Sequence, residues 1–313
     1  MIYEGKILLI GYGSIGARHV FVLNDELDIP KSQIEIVTKQ TLEDYVTYQN
    51  ISEIDDLNIY NYIIISSATS FHYEQLAFLD EHVRNKIILV EKPIFDKYKR
   101  FVSKNNSIFV AYNLRFHPII VKIKELLNNN KVYNVNVITG QYLPEWRPNR
   151  DYRNTYSASK EMGGGVLLDL SHEIDYLQWI FGCIVNFKAI NDKISDLEIT
   201  SDDFFTLIGK TTEDIIINLS LDYISKIPMR RIIINCLNKT IVGDFNDNSI
   251  YIKTIDSLSE KISFENVDRN YSYKKMHLDI IENKFENLCS INEGLEVLKI
   301  INAVPENQLN EYK

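Results

Sequence analysis

The motif Gly11-Tyr12-Gly13-Ser14-Ile15-Gly16 lies between a short apolar run at 7–10 and a stretch with helical character, and no other feature of the chain restricts its fold as much. In a strand-turn-helix unit each glycine has its own task. Gly11 permits the tight turn, Gly13 lets backbone approach a pyrophosphate, and Gly16 lets the helix pack closely. Ser14 and Ile15 open the helix, whose N-terminal end favours an anion. The pattern alone also fits a purely structural glycine turn; its place directly after the first strand points to a dinucleotide site.

From Lys6 to about Ala111, short Ile/Val-rich runs alternate with polar, helix-compatible stretches, as a parallel sheet with crossover helices requires. Strands are expected at 7–10, 34–38, 62–65, 87–90 and 108–111, each closed by Gly, Ser, Pro or Asn and each apolar enough to be buried on both faces. A connecting helix at 118–130 stops in three asparagines. Beyond it come β-branched or alternating runs at 132–138, 184–190, 204–208, 215–223, 229–236, 240–245 and 249–253, joined by short turn clusters, the pattern of a large mostly antiparallel sheet. One helix interrupts them, with Leu167, Leu170, Ile174, Leu177 and Phe181 at three-four spacing and Gly182 as its C-terminal stop. Two more helices are expected near 273–289 and 291–303. The fold class is therefore α/β: a doubly wound parallel domain over 1–117 and an α+β domain over 118–313.

The 313 residues suffice for two cores, and with 45% hydrophobic and 25% charged residues the chain is neither disordered nor fibrous. Its formal net charge of -9 repels polyphosphate, which argues against nucleic acid as a partner. Cys183, Cys236 and Cys289 stand far apart with no CxxC pair, so no disulfide framework and no metal site is expected. The apolar run at 7–10 is too short for a signal peptide, and nothing approaches the roughly 20 apolar residues of a membrane span. The expectation is a cytoplasmic protein with no membrane partner.

Several chemistry-bearing residues fall at the carboxyl ends of the expected strands. Glu91-Lys92-Pro93 closes the fourth run; the proline holds Lys92 out of the α region and stiffens the backbone that aims its ammonium, although an ordinary surface lysine reads the same way. Ser66, Ser67, Thr69 and His72 follow the run at 62–65. They suit a nicotinamide ribose and phosphates, or else an ordinary turn before a helix capped by Ser70. Asn113 and Arg115 follow the run at 108–111. Arg115 is suited either to an anionic or polyhydroxyl substrate or to an ion pair between the domains. In the second half, Gly163-Gly164-Gly165 leads into the amphipathic helix, which places Asp169 and His172 one turn apart: a carboxylate to orient a hydroxyl and an imidazole to exchange its proton. Tyr176 stands four after His172, which excludes an HExxH zinc site.

GYGSIGARH at 11–19, SSATSFHYEQ at 66–75, EKPIF at 91–95, YNLRFHP at 112–118 and GGGVLLDLSHEIDYLQWIFG at 163–182 together resemble the Gfo/Idh/MocA oxidoreductase family, in order along the chain. The resemblance implies a Rossmann domain, a C-terminal α/β domain whose open sheet serves oligomerisation, and reversible hydride transfer at a sugar or cyclitol carbon. It also implies that Lys92 is the lysine of the EKP motif and that Asp169 and His172 are the helix acid and histidine. One departure stands out: most members of the family place one residue more between that acid and that histidine, which leaves the acid's role less defined than the histidine's. The wording DLSHEIDY is similar to members tied to surface-polysaccharide and nucleotide-sugar pathways.

On this reading the chain is an NAD(P)-dependent dehydrogenase or reductase of a sugar, nucleotide sugar or cyclitol. His172, Lys92 and Asp169 are its catalytic residues, Glu91, Ser67, Thr69, His72 and Asn113 join the glycine loop at the cofactor, and Tyr142, Trp146, Arg147, Arg153 and Arg115 form the substrate wall in a pocket between the domains. The rivals are a non-catalytic cofactor-binding regulator of the same fold and NAD-assisted glycoside cleavage. Thr38 and Lys39 end the second strand with no acid after them, so NADP is favoured over NAD, with Glu35 placed too early to reach a ribose. A homodimer or homotetramer is expected, because a single helix layer covers only one face of the second sheet.

Overall fold

The computed structural model describes residues 3–256 and 259–308, and the chain divides into two compact units. In the first, β1 (Lys6–Ile10), β2 (Ile34–Val37), β3 (Val46–Tyr48), β4 (Tyr60–Ile65), β5 (Ile87–Val90) and β6 (Ser107–Val110) pair in parallel in the order β3-β2-β1-β4-β5-β6. This is the doubly wound order, which reverses between β1 and β4. Ile7, Leu8, Leu9, Ile63, Ile64 and Ile65 are fully buried, as continuous apolar runs in a sheet covered on both faces must be. Helix α1 (Ser14–Phe21) follows β1 and α2 (Thr69–His82) follows β4. The expected strands all form; β3, only three residues long and polar, gave no sequence signal.

The second unit begins with α3 (Pro118–Leu126), Pro118 at its first turn. Its sheet contains β7 (Val132–Gly140), β8 (Ile184–Asp192), β9 (Phe204–Thr211), β10 (Ile216–Asp222), β11 (Met229–Cys236), β12 (Lys239–Asp244), β13 (Ser249–Thr254) and β14 (Glu260–Ser263), in the order β14-β13-β12-β11-β7-β10-β9-β8. Every pair is antiparallel except β10 with β7. Val135, Val137, Ile217, Leu219, Phe205, Leu207, Ile232 and Ile234 face inward and are buried. Their alternates Ile138, Ile190, Ile208 and Ile216 lie on the opposite face, 39–54% exposed.

The single helix expected around 167–181 is two. Helix α4 (Val166–Asp169) ends at Leu170, outside the helical region, and α5 (His172–Phe181) starts afresh from Ser171. The apolar spacing survives the break because the two pieces bury the same side, so periodicity alone did not reveal it.

The chain then returns to the first unit. Helix α6 (Tyr271–Ile281) packs there, and β15 (Cys289–Ser290) pairs antiparallel with β6 at the edge of the parallel sheet. Helix α7 (Ile291–Ala303) follows, its residues through Leu298 belonging to the first unit. The contiguous division at 117/118 is thus corrected: Asp268–Leu298 belongs with the first unit, because Met276, Ile280 and Leu288 fill the core beside Leu9, Tyr62 and Phe116.

Candidate functional site

In the first unit the chemistry-bearing loops gather at the carboxyl ends of β1, β4 and β5. Gly11 has φ +95°, and a Cβ there would strike the backbone of Ser67; a Cβ on Gly16 would strike the Gly11 carbonyl oxygen. Both glycines are therefore demanded by the chain's own packing. Gly13 is different. It is exposed, has extended backbone, and a Cβ added to it would meet nothing within 4 Å. It is the N-cap of α1 with no side-chain cap, and α2 likewise starts from Ala68 without a side-chain cap, which corrects the expected Ser70 cap. Two helix N-termini at the strand-order reversal thus present backbone N–H groups that no side-chain cap engages.

Around them, the Ser66 hydroxyl donates to the Gly11 carbonyl at 2.7 Å and the Ser67 hydroxyl to Gln75 at 2.6 Å. Thr38 and Lys39 follow β2, Lys39 exposed, and the Thr38 hydroxyl oxygen accepts the Gln40 N–H at 3.1 Å. Glu35 is buried and accepts from Lys6 at 2.6 Å, Tyr48 at 2.9 Å and Tyr60, so its carboxylate is committed to the sheet.

Three residues assigned to ligands from sequence prove to be interior braces. His72 is 1% exposed, with Nδ1 3.2 Å from the carbonyls of Pro93 and Ile94 and Nε2 3.1 Å from that of Ser67. It ties the loop after β4 to the loop after β5, and burial pushes its pKa below the ordinary histidine value. Arg115 is 1% exposed and pairs with Glu293 at 2.9 Å inside the same unit, so neither the substrate nor the inter-domain reading of that arginine describes this contact. Glu91 is buried: Oε1 lies 2.9 Å from His19 Nε2, and Oε2 accepts the Lys92 N–H at 3.2 Å. Asn113 is also buried, in the 3-10 turn Asn113–Phe116, whereas Lys92 is half-buried.

In the second unit the glycine run is shaped by contact. A Cβ on Gly164 would strike the carbonyls of Tyr156 and Ser157, and Gly165, at φ +130°, sits against the Asp202 carboxylate. Asp202 caps α4 by accepting the Leu167 N–H at 3.0 Å; burial raises its pKa, helped by the charges of Asp169 and Asp203. Asp169 ends α4 and accepts hydroxyls from Ser157 and, at 2.6 Å, from Tyr223, whose pKa is driven well above 10 by burial and by that carboxylate. His172 opens α5, half-buried. The break between the helices therefore places Asp169 and His172 at the end of one helix and the start of the next, and not on one helical face.

A small open recess is lined by Leu143, Trp146, Arg147, Tyr152, Thr155 and Ser157. Trp146 meets the Tyr223 ring edge-on at 5.0 Å, and Ser157 and Tyr223 both donate to Asp169, so recess and acid form one cluster. Of the expected substrate wall, Trp146 and Arg147 line this recess. Arg153 is exposed and held by Asp151 and Glu198, and the Tyr142 ring lies under the Lys226 ammonium at 3.0 Å. Tyr152, Ser157 and Tyr223 were missed; an isolated hydroxyl residue carries no sequence signal of this kind. Among the described residues no cluster of His, Cys, Asp and Glu fits a metal ion, and no helix is long and apolar enough to cross a membrane.

Residues 124–311 match the C-terminal alpha/beta domain of the Gfo/Idh/MocA oxidoreductase family. An uncharacterized oxidoreductase of Bacillus subtilis is 23% identical over 328 residues, covering 96% of this chain and 93% of that one. A second, from Synechocystis, is 27% identical over 163 residues, a match that spans 50% of this chain and 43% of the relative. Among solved structures, levoglucosan dehydrogenase in complex with NADH and levoglucosan aligns over 97% of this chain and 96% of its own, at 15% identity and TM-score 0.82. UDP-N-acetylglucosamine 3-dehydrogenase from Acidithiobacillus ferrooxidans aligns over 97% of both chains, at 15% identity and TM-score 0.75. At these identities the structural likeness shows the fold.

Proposed function

Because the chain belongs to the Gfo/Idh/MocA oxidoreductase family, we propose that it moves a hydride to or from a secondary carbon of a sugar, nucleotide sugar or cyclitol, using a nicotinamide dinucleotide. The observation that carries this reading is Gly13: it is the one glycine of the motif that the chain's own packing leaves without a neighbour, at the uncapped start of α1, where a pyrophosphate is accommodated and a side chain would obstruct it. When bound, the nicotinamide accepts or supplies the hydride. In the oxidative direction His172 takes the hydroxyl proton, and the Lys92 ammonium stabilises the developing alkoxide and relays that proton. Asp169, fixed by Ser157 and Tyr223, holds a neighbouring hydroxyl. Trp146 and Tyr152 offer the recess apolar faces suited to the C–H face of a sugar ring, and Arg147 adds a donor for hydroxyl or phosphate oxygens.

The cofactor in this reading is NADP(H). No acid follows β2, Glu35 is committed elsewhere, and Thr38 with Lys39 provides a hydroxyl and an ammonium for a 2′-phosphate. The protein acts as a homodimer or homotetramer built on the outer face of the eight-stranded sheet, where Ile138, Ile190, Ile208 and Ile216 are exposed. Ile232 and Ile234 lie on the covered face and take no part. Ile208→Lys should convert the assembly to monomers in sedimentation velocity at micromolar concentration, and a wild-type monomer there rejects the assembly.

The experiment for the activity is a screen of sugars, nucleotide sugars and cyclitols with NAD⁺ and NADP⁺, read as reduced cofactor at 340 nm, with mass spectrometry of small molecules retained through purification. Turnover of none of them rejects the reading, and a retained dinucleotide in that case favours the non-catalytic cofactor-binding regulator.

A further inference from the structure

Behind Lys92, inside the first unit, lies a closed line of polar groups that the chemistry above does not use. The Tyr62 hydroxyl is 2.9 Å from His277 Nδ1, His277 Nε2 is 2.8 Å from His19 Nδ1, and His19 Nε2 is 2.9 Å from Glu91 Oε1. The other oxygen of Glu91 accepts the Lys92 N–H. Tyr62, His277 and His19 are 0–1% exposed, and they come from β4, α6 and α1. The groups facing the two imidazoles are Tyr62, Glu91 and Tyr273, whose ring meets His19 edge-on at 5.3 Å and carries the Arg18 guanidinium over its face at 5.5 Å.

Donor counting leaves one arrangement. Three contacts need three protons, and Tyr62 with two neutral imidazoles supplies three. With Glu91 ionised, His19 donates through Nε2, so its Nδ1 accepts from His277 Nε2–H, and His277 Nδ1 accepts from Tyr62. The reversed order would require either a protonated Glu91 or an imidazolium at His19, and in both cases would strand the Tyr62 proton, for which no other acceptor occurs among the described residues. An extra proton on His277 would set its Nδ1–H against the Tyr62 hydroxyl proton, and burial, with a smaller contribution from His19, holds the pKa of His277 well below 6.5. Because the line ends at a buried tyrosine, it cannot carry protons to solvent. It can only orient.

We propose that His19 and His277 are positioning residues: they form a one-way hydrogen-bond line that starts at Tyr62 and fixes the Glu91 carboxylate, and through it the backbone that presents Lys92. This rests on the assignment of Lys92 to catalysis. It explains why the return segment at 268–298 carries a histidine into the first unit's core, a feature that apolar packing alone does not require.

The test uses the full chain labelled with 15N in its six histidine rings, with His19 and His277 assigned by His19→Gln and His277→Phe. Between pH 6 and 8 both rings should be neutral Nε2–H tautomers; an imidazolium or an Nδ1–H form at either overturns the line. In His277→Phe, kcat on whichever sugar or cyclitol the screen identifies should fall about tenfold with KM for the dinucleotide changed less than twofold. An unchanged kcat, or equal losses in kcat and dinucleotide affinity, overturns the positioning role. Should His277→Phe fail to fold, Tyr62→Phe removes one oxygen at the far end and should lower kcat two- to threefold, an unchanged kcat again overturning it. Absence of turnover in the wild type would reject the function and leave the imidazole spectra to decide the line.

Discussion

Both sheets are built from Ile-rich strands, yet they treat their polar groups in opposite ways. Strands β1 and β4 bury both faces, so a polar side chain that enters their surroundings has no water to turn to and must close a network, as His19, His277, Tyr62 and Glu91 do. Strands β7, β9 and β10 bury alternate residues and leave an outer face where Asn136 and Asn218 pair in a half-exposed ladder beside isoleucines. Two of the second unit's carboxylates flank α4, where Asp169 holds two hydroxyls and Asp202 caps the helix. A sheet buried on both faces forces its polar neighbours into closed networks, whereas one with an exposed face leaves its polar and apolar side chains there side by side in reach of water.

The largest expected effect is on chemistry. On the proposed assignment Lys92→Ala and His172→Ala should each lower kcat by about a thousandfold or more while dinucleotide binding persists, since neither residue builds the glycine loop. A loss of only a few fold in kcat/KM rejects the assignment. Asp169→Asn should be milder, because an amide oxygen still accepts one of the two hydroxyls, and a loss exceeding that of His172→Ala would reverse the two roles.

Next come the glycines, which separate packing from binding within one loop. Gly16→Ala forces a methyl onto the Gly11 carbonyl and should cost about 1–3 kcal/mol of stability in chemical denaturation. Gly13→Ala meets no atom of the chain, so it should leave the denaturation midpoint in place and weaken dinucleotide binding at least tenfold. Equal stability losses in the two variants would show that Gly13 too serves only the fold.

Stability against pH compares the two units directly. His72 and His277 in the first, and His117 in the second, have pKa values held below 6.5 by burial, that of His117 at about 4, with Arg230 adding repulsion. The unfolded chain binds these protons first. Stability is therefore full above about pH 6.5 and falls as pH drops toward the folded values, by up to about 1.4 kcal/mol per pH unit for each group. Denaturation at pH 7.5, 6 and 5 should show this decline, and His117→Gln should reduce it for any transition belonging to the second unit. A stability that does not change over that range contradicts the buried neutral state of all three.

The smallest effect concerns the end of β2. Lys39→Ala should weaken NADPH binding about three- to tenfold in calorimetric titration and leave NADH untouched, because a single exposed ammonium contributes modestly. Unchanged NADPH affinity, or tighter binding of NADH by the wild type, shows that this strand end does not read the phosphate.

The parallel strands, the glycine turn and the β-rich second half were legible because each rests on local pattern: period, turn chemistry and the steric needs of glycine. The break after Asp169 was not, since an apolar stripe continues across it. Nor were His72, Arg115 and Glu91 recognisable as interior braces, because a polar residue at a strand exit looks the same in sequence whether it faces a ligand or a backbone carbonyl. The return of 268–298 to the first unit, and with it the contact of His277 with His19 across 258 positions, lies beyond any local signal.

By itself the sequence determined the order of elements and the family they resemble, since hydrophobic period and backbone sterics act over a few residues at a time. Which face of the second sheet stays open, which charged groups are dry, and which hydroxyls hold Asp169 were decided only by tertiary packing, because burial and hydrogen-bond partners are properties of segments that meet in space.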